Sequence, residues 1–274
     1  MNFRRMRQEI YDYNRKNYAY IFEWPWYSYR KYKAILYMEA ASFLVYFLSR
    51  TPLTPNGLTF IYMALCLISG VLLAIPLKSA VFAAILIMFL KPILDWADGH
   101  LARVKHATSI SGDILDSYSA HLSWVVFWTG LGLYLGNSTN IIFYYLAPLI
   151  PAILAVDIYQ NAHERFIYVY FTKKEHRNTK VDSDKSKDSH LREESPLRKL
   201  KLYIDKLFEH NARTVDLICL IVLIELFTQM HILWLFYIAF LGWQALGISV
   251  KIYSFAFKRK TEDELEDLRK KLYE

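Results

Sequence analysis

The sequence predicts an all-α integral membrane protein with six transmembrane helices preceded by an amphipathic juxtamembrane helix. Three observations carry this. The chain is 54% hydrophobic and 16% aromatic over 274 residues. Its apolar residues gather in runs of about 20, the length that crosses a bilayer, at about 57–76, 80–102, 114–135, 140–168, 214–230 and 232–256. With those six crossing, Lys and Arg fall almost wholly on one side: nine in 1–50, two at Arg103 and Lys105, twelve in 172–213 and six in 258–274, against Lys78 alone on the other. This asymmetry puts both termini in the cytosol. Three parts follow: an N-terminal cytosolic or interfacial segment (1–50), a six-helix membrane domain (51–257, including a cytosolic loop at 172–213) and a cytosolic amphipathic tail (258–274). The formal net charge of +7 then reads as topology and attraction to anionic membrane lipids, with no nucleic acid as partner.

Residues 1–30 are basic and rich in tyrosine and end in Trp24-Pro25-Trp26-Tyr27. Tyr and Trp favour the headgroup zone, so a segment on the membrane surface is expected, with a disordered tail as the plain alternative. No cleavable signal peptide is expected, because Arg4, Arg5, Arg7, Arg15 and Lys16 occur without an apolar core segment. Residues 31–50 are long enough to span, but Glu39 sits in their middle, and a span here would put the basic N-terminus outside. They read as the interfacial helix. Pro52 and Pro55 break that helix and start the next.

The second span ends in a polar cluster, and Val104 to Ser111 reads as a short basic turn before a third span at Asp113 to Leu135. The outer loop Gly136 to Asn140 carries no charge. The run Ile141 to Phe171 is too long to be membrane throughout and holds Asp157, then Gln160, Asn161, His163, Glu164 and Arg165. Asp157 is read equally as an ion-pair partner of Lys91 or Lys251 and as a substrate contact. His163 and Glu164 suit the headgroup zone better than a metal site. From Lys173 to His190 the charges are mixed around one apolar residue, Val181, which marks a flexible linker with His176 and His190 solvated. A surface helix is expected over Leu197 to His210, then a fifth span containing Glu225, which is either paired in the bundle or protonated. Cys66 and Cys219 lie in apolar runs and read as small buried hydrophobes rather than a disulfide or metal pair.

The chemistry gathers at residues 95–120. Asp95, Asp98, Gly99 and Ala102 share one narrow helix face at 100° per residue. Asp116 is read as beginning a second helix, with position 120 one turn above it. Converging carboxylates at a membrane surface are costly unless something positive binds them, and hard oxygen ligands suit Mg²⁺ or Mn²⁺. The small residues leave room for a flat ligand against the backbone. Arg103 is placed for phosphate oxygens. Lys91 can reach Asp95 at i+4 and reads either as neutralising that carboxylate or as a phosphate or acceptor contact.

The spacing resembles the signature of the CDP-alcohol phosphotransferase family, D-x2-D-G-x2-A-R-x8-G-x3-D-x3-D. It matches at Asp95, Asp98, Gly99, Ala102, Arg103, Gly112 and Asp116, seven of eight fixed residues over 26 positions. A Thr-Pro-Asn-x-x-Thr helix start, here Thr54 to Thr59, is also familiar from the family, where it lies near the nucleotide; Asn56 and Thr59 read equally as plain helix-start residues. The resemblance implies six spans behind a juxtamembrane helix, a homodimer, and a membrane enzyme of phospholipid or related polar-lipid synthesis. Such an enzyme transfers a phospho-alcohol or phosphatidyl group from a CDP-linked donor to an acceptor alcohol, one of the two a lipid, and releases CMP. It implies two ions of Mg²⁺ or Mn²⁺ on Asp95, Asp98 and Asp116. Nucleotide contacts would fall at Asp98, Gly99, Ala102, Arg103, Gly112, Asn56 and Thr59. Arg213 is a phosphate candidate, although a cytosolic anchor explains it more simply. The active site is expected on the cytosolic face of a bacterial or archaeal cell membrane.

The departure is at position 120, where the family has its last Asp, the expected base, and this chain has Ala120. Asp113 lies seven residues from that position and His121 about 100° off the stripe, so neither replaces it. A deliberate Asp-to-Ala change that traps an inactive enzyme, or a naturally impaired protein, explains this, and the intact remainder favours the first. Two other classes are a catalytically dead CDP-binding scaffold and a transporter; the latter fits poorly, because the acids concentrate at one helix end.

Overall fold

The computed structural model describes residues 2–17, 22, 29–156, 212–228 and 231–257, and all regular structure among them is helical. The helices are α1 (Phe3–Asn17), α2 (Tyr29–Leu48), α3 (Pro55–Ala74), α4 (Lys78–Val104), α5 (Ile110–Ser138), the short α6 (Ile142–Leu146), α7 (Ala212–Phe227) and α8 (Leu233–Phe257). A further helical segment occupies 149–156. The chain divides into two compact units, 1–147 with 215–231, and 148–214 with 232–274. Within the second, the described residues form segment 149–156 and α8.

By length and apolarity three helices can cross a membrane: Pro55–Ala74, Lys78–Val104 and Leu233–Val250. They correspond to the first, second and sixth expected spans. α5 has 29 residues, but Trp, Ser and Gly dilute its apolarity. α7 is 16 residues long. The protein is thus an all-helical membrane protein with three candidate spans among the described residues. Asp157, His163, Glu164, the linker with His176 and His190, the helix expected at Leu197 to His210 and the tail 258–274 lie outside the described residues, as do the side chains of Arg213 and Lys251.

Local chemistry fixes the helix ends around the motif. The Thr54 hydroxyl accepts the Gly57 N–H at 3.1 Å and Pro55 opens the first turn of α3, the favoured arrangement for a residue that lacks an N–H. α4 closes with the Ala107 N–H on the Ala102 carbonyl (2.8 Å) and the His106 N–H on that of Arg103 (3.1 Å), with His106 left-handed at φ 51. The Ser109 hydroxyl then accepts the Gly112 N–H at 3.1 Å, so α5 begins at Ile110. Asp116 therefore does not begin the second motif helix. It stands nearly two turns inside it, because Ser109 supplies the cap and Asp113 the favourable first-turn charge. The turn between the motif helices shrinks to 105–109. Lys105 Nζ donates to the Thr51 and Leu53 carbonyls, both at 2.7 Å, and clamps the α2–α3 connection onto this turn.

α3 packs against both α4 and α5. Its contact with α5 is backbone to backbone: a Cβ on Gly130 would stand 2.7 Å from the Gly70 carbonyl oxygen, so only glycine permits the approach. Tyr62, Leu73, Ile85, Leu101, Phe127 and Trp128 fill the space between these helices. α1 is a folded element rather than a disordered tail. Its Met6 and Ile10 are buried with Met38, Ala41 and Val45 of α2, Leu58 of α3, and Ala97 and Leu101 of α4. Glu39, the charge that argued against a span in α2, is met from α1 by Arg7 and by the Tyr11 hydroxyl. Cys66 and Cys219 are buried free thiols, as the sequence suggests.

Candidate active site

The motif carboxylates meet at the end of α4 and the first third of α5, with α3 facing both. Asp98 is buried. Its Oδ2 accepts from the Thr59 hydroxyl at 2.6 Å and from Tyr62 OH at 3.2 Å. The same Tyr62 oxygen lies 3.3 Å from Asp116 Oδ1 and 2.7 Å from Ser119 Oγ. One phenol thus stands between the carboxylates of two helices. A phenol has a single proton and divides it among these acceptors, so among the described residues Asp98 and Asp116 are held by hydroxyls. Asp95 is served instead by Lys91, whose Nζ lies 3.0 Å from Oδ1. The i,i+4 contact of Lys91 with Asp95 is therefore present. Lys91 also lies 5.7 Å from the Tyr62 ring centroid.

The small residues and Arg103 frame one side. A Cβ on Gly99 would meet Arg103 Nη1 at 3.5 Å, so the guanidinium lies along the bare face of α4. Arg103 also contacts His100 Nδ1 and lies under the Tyr13 ring, 4.1 Å from its centroid. A Cβ on Gly112 would sit 3.3 Å from Asn56 Oδ1, so the starts of α3 and α5 adjoin there. Ala102 is half-buried one turn beyond Asp98 and Gly99. Ala120 is exposed one turn beyond Asp116 and brings no polar atom to the site. His121 Nδ1 lies 2.6 Å from the Ser117 carbonyl oxygen. A carbonyl only accepts, so Nδ1 donates in this contact.

Among the described residues no three His, Cys, Asp or Glu side chains close into a metal-ligand cluster. The donor set nevertheless suits a hard dication. It is carboxylate and hydroxyl oxygen, and Asp95, Asp98 and Asp116 lie within electrostatic range of one another. The partners that separate them, Lys91, Thr59 and Tyr62, are those that neutral or cationic groups provide when carboxylates stand close.

The family model described as CDP-alcohol phosphatidyltransferase matches residues 52–169. Residues 52–169, less than half of the chain, are thus similar to that family. The match takes in α3, α4 and α5 and every motif residue from Asn56 to Ala120, and leaves α1 and α2 outside. Enzymes of this family are transferases that move a phospho-alcohol from a CDP-alcohol to an acceptor alcohol, and they generally depend on a divalent metal ion. A comparison with curated proteins finds no match.

Sequence reasoning missed Tyr62 and Ser119 in the matched region. A signal for Tyr62 existed. Thr59, Tyr62, Cys66, Ser69 and Gly70 recur at helical spacing along one buried stripe of α3, a run of small and polar side chains in an otherwise apolar helix. Ser119 stands three residues after Asp116, on the adjoining face.

Proposed function

We propose that the chain is a metal-dependent CDP-alcohol phosphotransferase that moves a phospho-alcohol or phosphatidyl group from a CDP-linked donor to an acceptor hydroxyl and releases CMP, in the synthesis of phospholipid or a related polar lipid. The observation that carries this reading is the Tyr62 hydroxyl within 3.2 Å of Asp98 and 3.3 Å of Asp116, which gathers the carboxylates of both motif helices at one place. Asp95, Asp98 and Asp116 would hold two ions of Mg²⁺ or Mn²⁺, and such ions, when bound, neutralise the donor diphosphate. Gly99, Ala102 and Gly112 give the nucleotide access to backbone, with Asn56 and Thr59 beside it. Arg103 meets the diphosphate. The acceptor oxygen forms a bond to the alcohol-bearing phosphorus, the bond from that phosphorus to the CMP oxygen breaks, and the hydroxyl proton passes to a base. The position suited to the base is 120, one turn above Asp116. Ala120 has no group to take the proton, so this chain is slow. Lys91 and Asp157 remain candidates for acceptor contacts, and Arg213 for phosphate.

CMP release across a panel of CDP-donors and alcohols, with mass spectrometry of the lipid products, tests the activity. CDP binding should require Mg²⁺ or Mn²⁺, and Asp98→Asn should abolish that requirement; unchanged binding in EDTA would rule out the metal-bridged site. Six spans with cytosolic termini predict that cysteines placed at 136–139, but not at 180–190, are labelled from outside. A homodimer predicts a detergent-corrected mass of two protomers. The second reading, a CDP-binding scaffold without turnover, is favoured only by Ala120, and it requires that the chain stay inactive when a carboxylate is restored there.

A further inference from the structure

Gly99, His100 and Tyr13 each border Arg103. Gly99 leaves the space the guanidinium fills, with Nη1 at 3.5 Å and Nη2 at 3.7 Å from where a Cβ would be. His100 Nδ1 accepts from Nη2, since a guanidinium has no acceptor. The Tyr13 ring covers Cζ from 4.1 Å. Tyr13 comes from α1, outside the matched 52–169. α1 is seated by Met6 and Ile10 in a cluster that includes Ala97 and Leu101 of the motif helix, and by Arg7 and Tyr11 on Glu39. The N-terminal helix is thus fastened to the same stretch of α4 that carries the motif. A ring against the face of a guanidinium restrains a side chain that otherwise has many rotamers and fixes the direction of its N–H edge.

We propose that Tyr13 is a positioning residue for Arg103, so that α1 completes the diphosphate side of the donor site for a CDP-type nucleotide. The proposal rests on the reading of Arg103 as the diphosphate contact. Tyr13 does not touch the nucleotide in this scheme; it acts through the orientation of the guanidinium.

The test is calorimetric binding of CDP and of cytidine, each with Mg²⁺, to the full chain in detergent and to Tyr13→Ala, Tyr13→Phe, Arg103→Ala and the Tyr13→Ala/Arg103→Ala double variant. Tyr13→Ala should weaken CDP about three- to tenfold, the range of a single cation–π contact. Tyr13→Phe, which keeps the ring, should bind within about twofold of the parent. Cytidine should be unaffected by either, and Tyr13→Ala should add nothing once Arg103 is gone. Weakened CDP binding by Arg103→Ala together with parent-like binding by Tyr13→Ala would overturn the proposal. So would an equal loss for cytidine, which would mean that α1 had merely detached, or a Tyr13→Ala loss undiminished in the Arg103→Ala background. If Arg103→Ala itself binds CDP like the parent, the diphosphate reading fails first and the proposal with it.

Discussion

At two contacts away from the motif a carboxylate meets a cation across helices: Glu39 of α2 takes Arg7 of α1, and Asp216 of α7 takes Lys33 of α2. Among the described residues of the motif, Lys91 serves Asp95, while Asp98 and Asp116 are held by the hydroxyls of Thr59 and Tyr62. The first pattern is what a structure needs to bury charge. The second leaves net negative charge at a helix end, tolerable where a positive ligand completes the balance. The difference separates ion pairs that build the fold from an acidic excess available for chemistry, and each half can be broken separately.

The largest effect is expected at position 120. Ala120→Asp should put a fourth carboxylate one turn from Asp116. CMP release should rise by at least about two orders of magnitude, the lower part of what a general base contributes. The two proteins assayed side by side over the donor panel decide this. Equal rates above background would point to another base, and His121 is then the residue to replace next. This change should leave thermal stability nearly untouched.

Lys33→Met should do the reverse. The Lys33 and Asp216 side chains are 9% and 3% exposed, and Tyr37 OH lies 3.4 Å from the same Asp216 oxygen. Removing the ammonium strands a buried carboxylate, at a cost of about 3–5 kcal/mol. Thermal unfolding in detergent should shift sharply down, whereas the metal requirement of CDP binding in the protein that remains folded should persist. Loss of that requirement with unchanged unfolding would invert the comparison.

A smaller loss is expected at Gly130→Ala. The added Cβ would stand 2.7 Å from the Gly70 carbonyl oxygen and 3.0 Å from its Cα, neither of which can turn aside. α3 and α5 must separate, at about 1–3 kcal/mol for an overpacked contact. Since Tyr62 of α3 and Asp116 of α5 are held across the same interface, CDP affinity should fall as well. Unfolding unchanged within error would show that the two helices have room to spare.

The legible parts of the site were those written in local spacing. Asp95, Asp98, Gly99 and Ala102 share a face because they lie on one continuous helix, and the Lys91–Asp95 pair is an i,i+4 contact. The start of α3 could be read from Thr54 and Pro55 because capping is local. Ser109 carried the same kind of signal for α5, and missing it set Asp116 at a helix start instead of inside. Tyr62 is 36 residues from Asp98 and 54 from Asp116, so only the packing of α3 on both motif helices makes it a site residue. The match of Arg7 to Glu39, 32 residues apart, was hidden for the same reason: Glu39 looked like an obstacle to a span until α1 supplied its partner.

The Glu39 cluster should give the smallest effect, and its pH dependence has a defined sign. The Arg7 hydrogen bonds hold the Glu39 carboxyl below the usual carboxylate range, against the opposing effect of burial. Glu39 holds the Arg7 guanidinium further up. Burial first, and then the hydrogen bond to Glu39, push the Tyr11 phenol up to about 12. A lowered carboxyl pKa means that its contribution is present at neutral pH and is lost as pH falls through the folded value. The raised phenol contributes below its ordinary value of 10 and is lost as pH rises toward about 12. Between these limits the attachment of α1 should not change with pH. The Arg7 and Glu39 side chains are 42% and 35% exposed, so solvent screens them and Glu39→Gln should cost no more than about 1 kcal/mol at pH 7. Hydrogen exchange in 3–17 is the measurement. The variant should exchange modestly faster than the parent at pH 7, and the two should converge under acid, once Glu39 is protonated in the parent. A gap that stays constant into acid would mean that the Gln side chain disturbs packing on α2, and that the charge of Glu39 does not hold α1 in place.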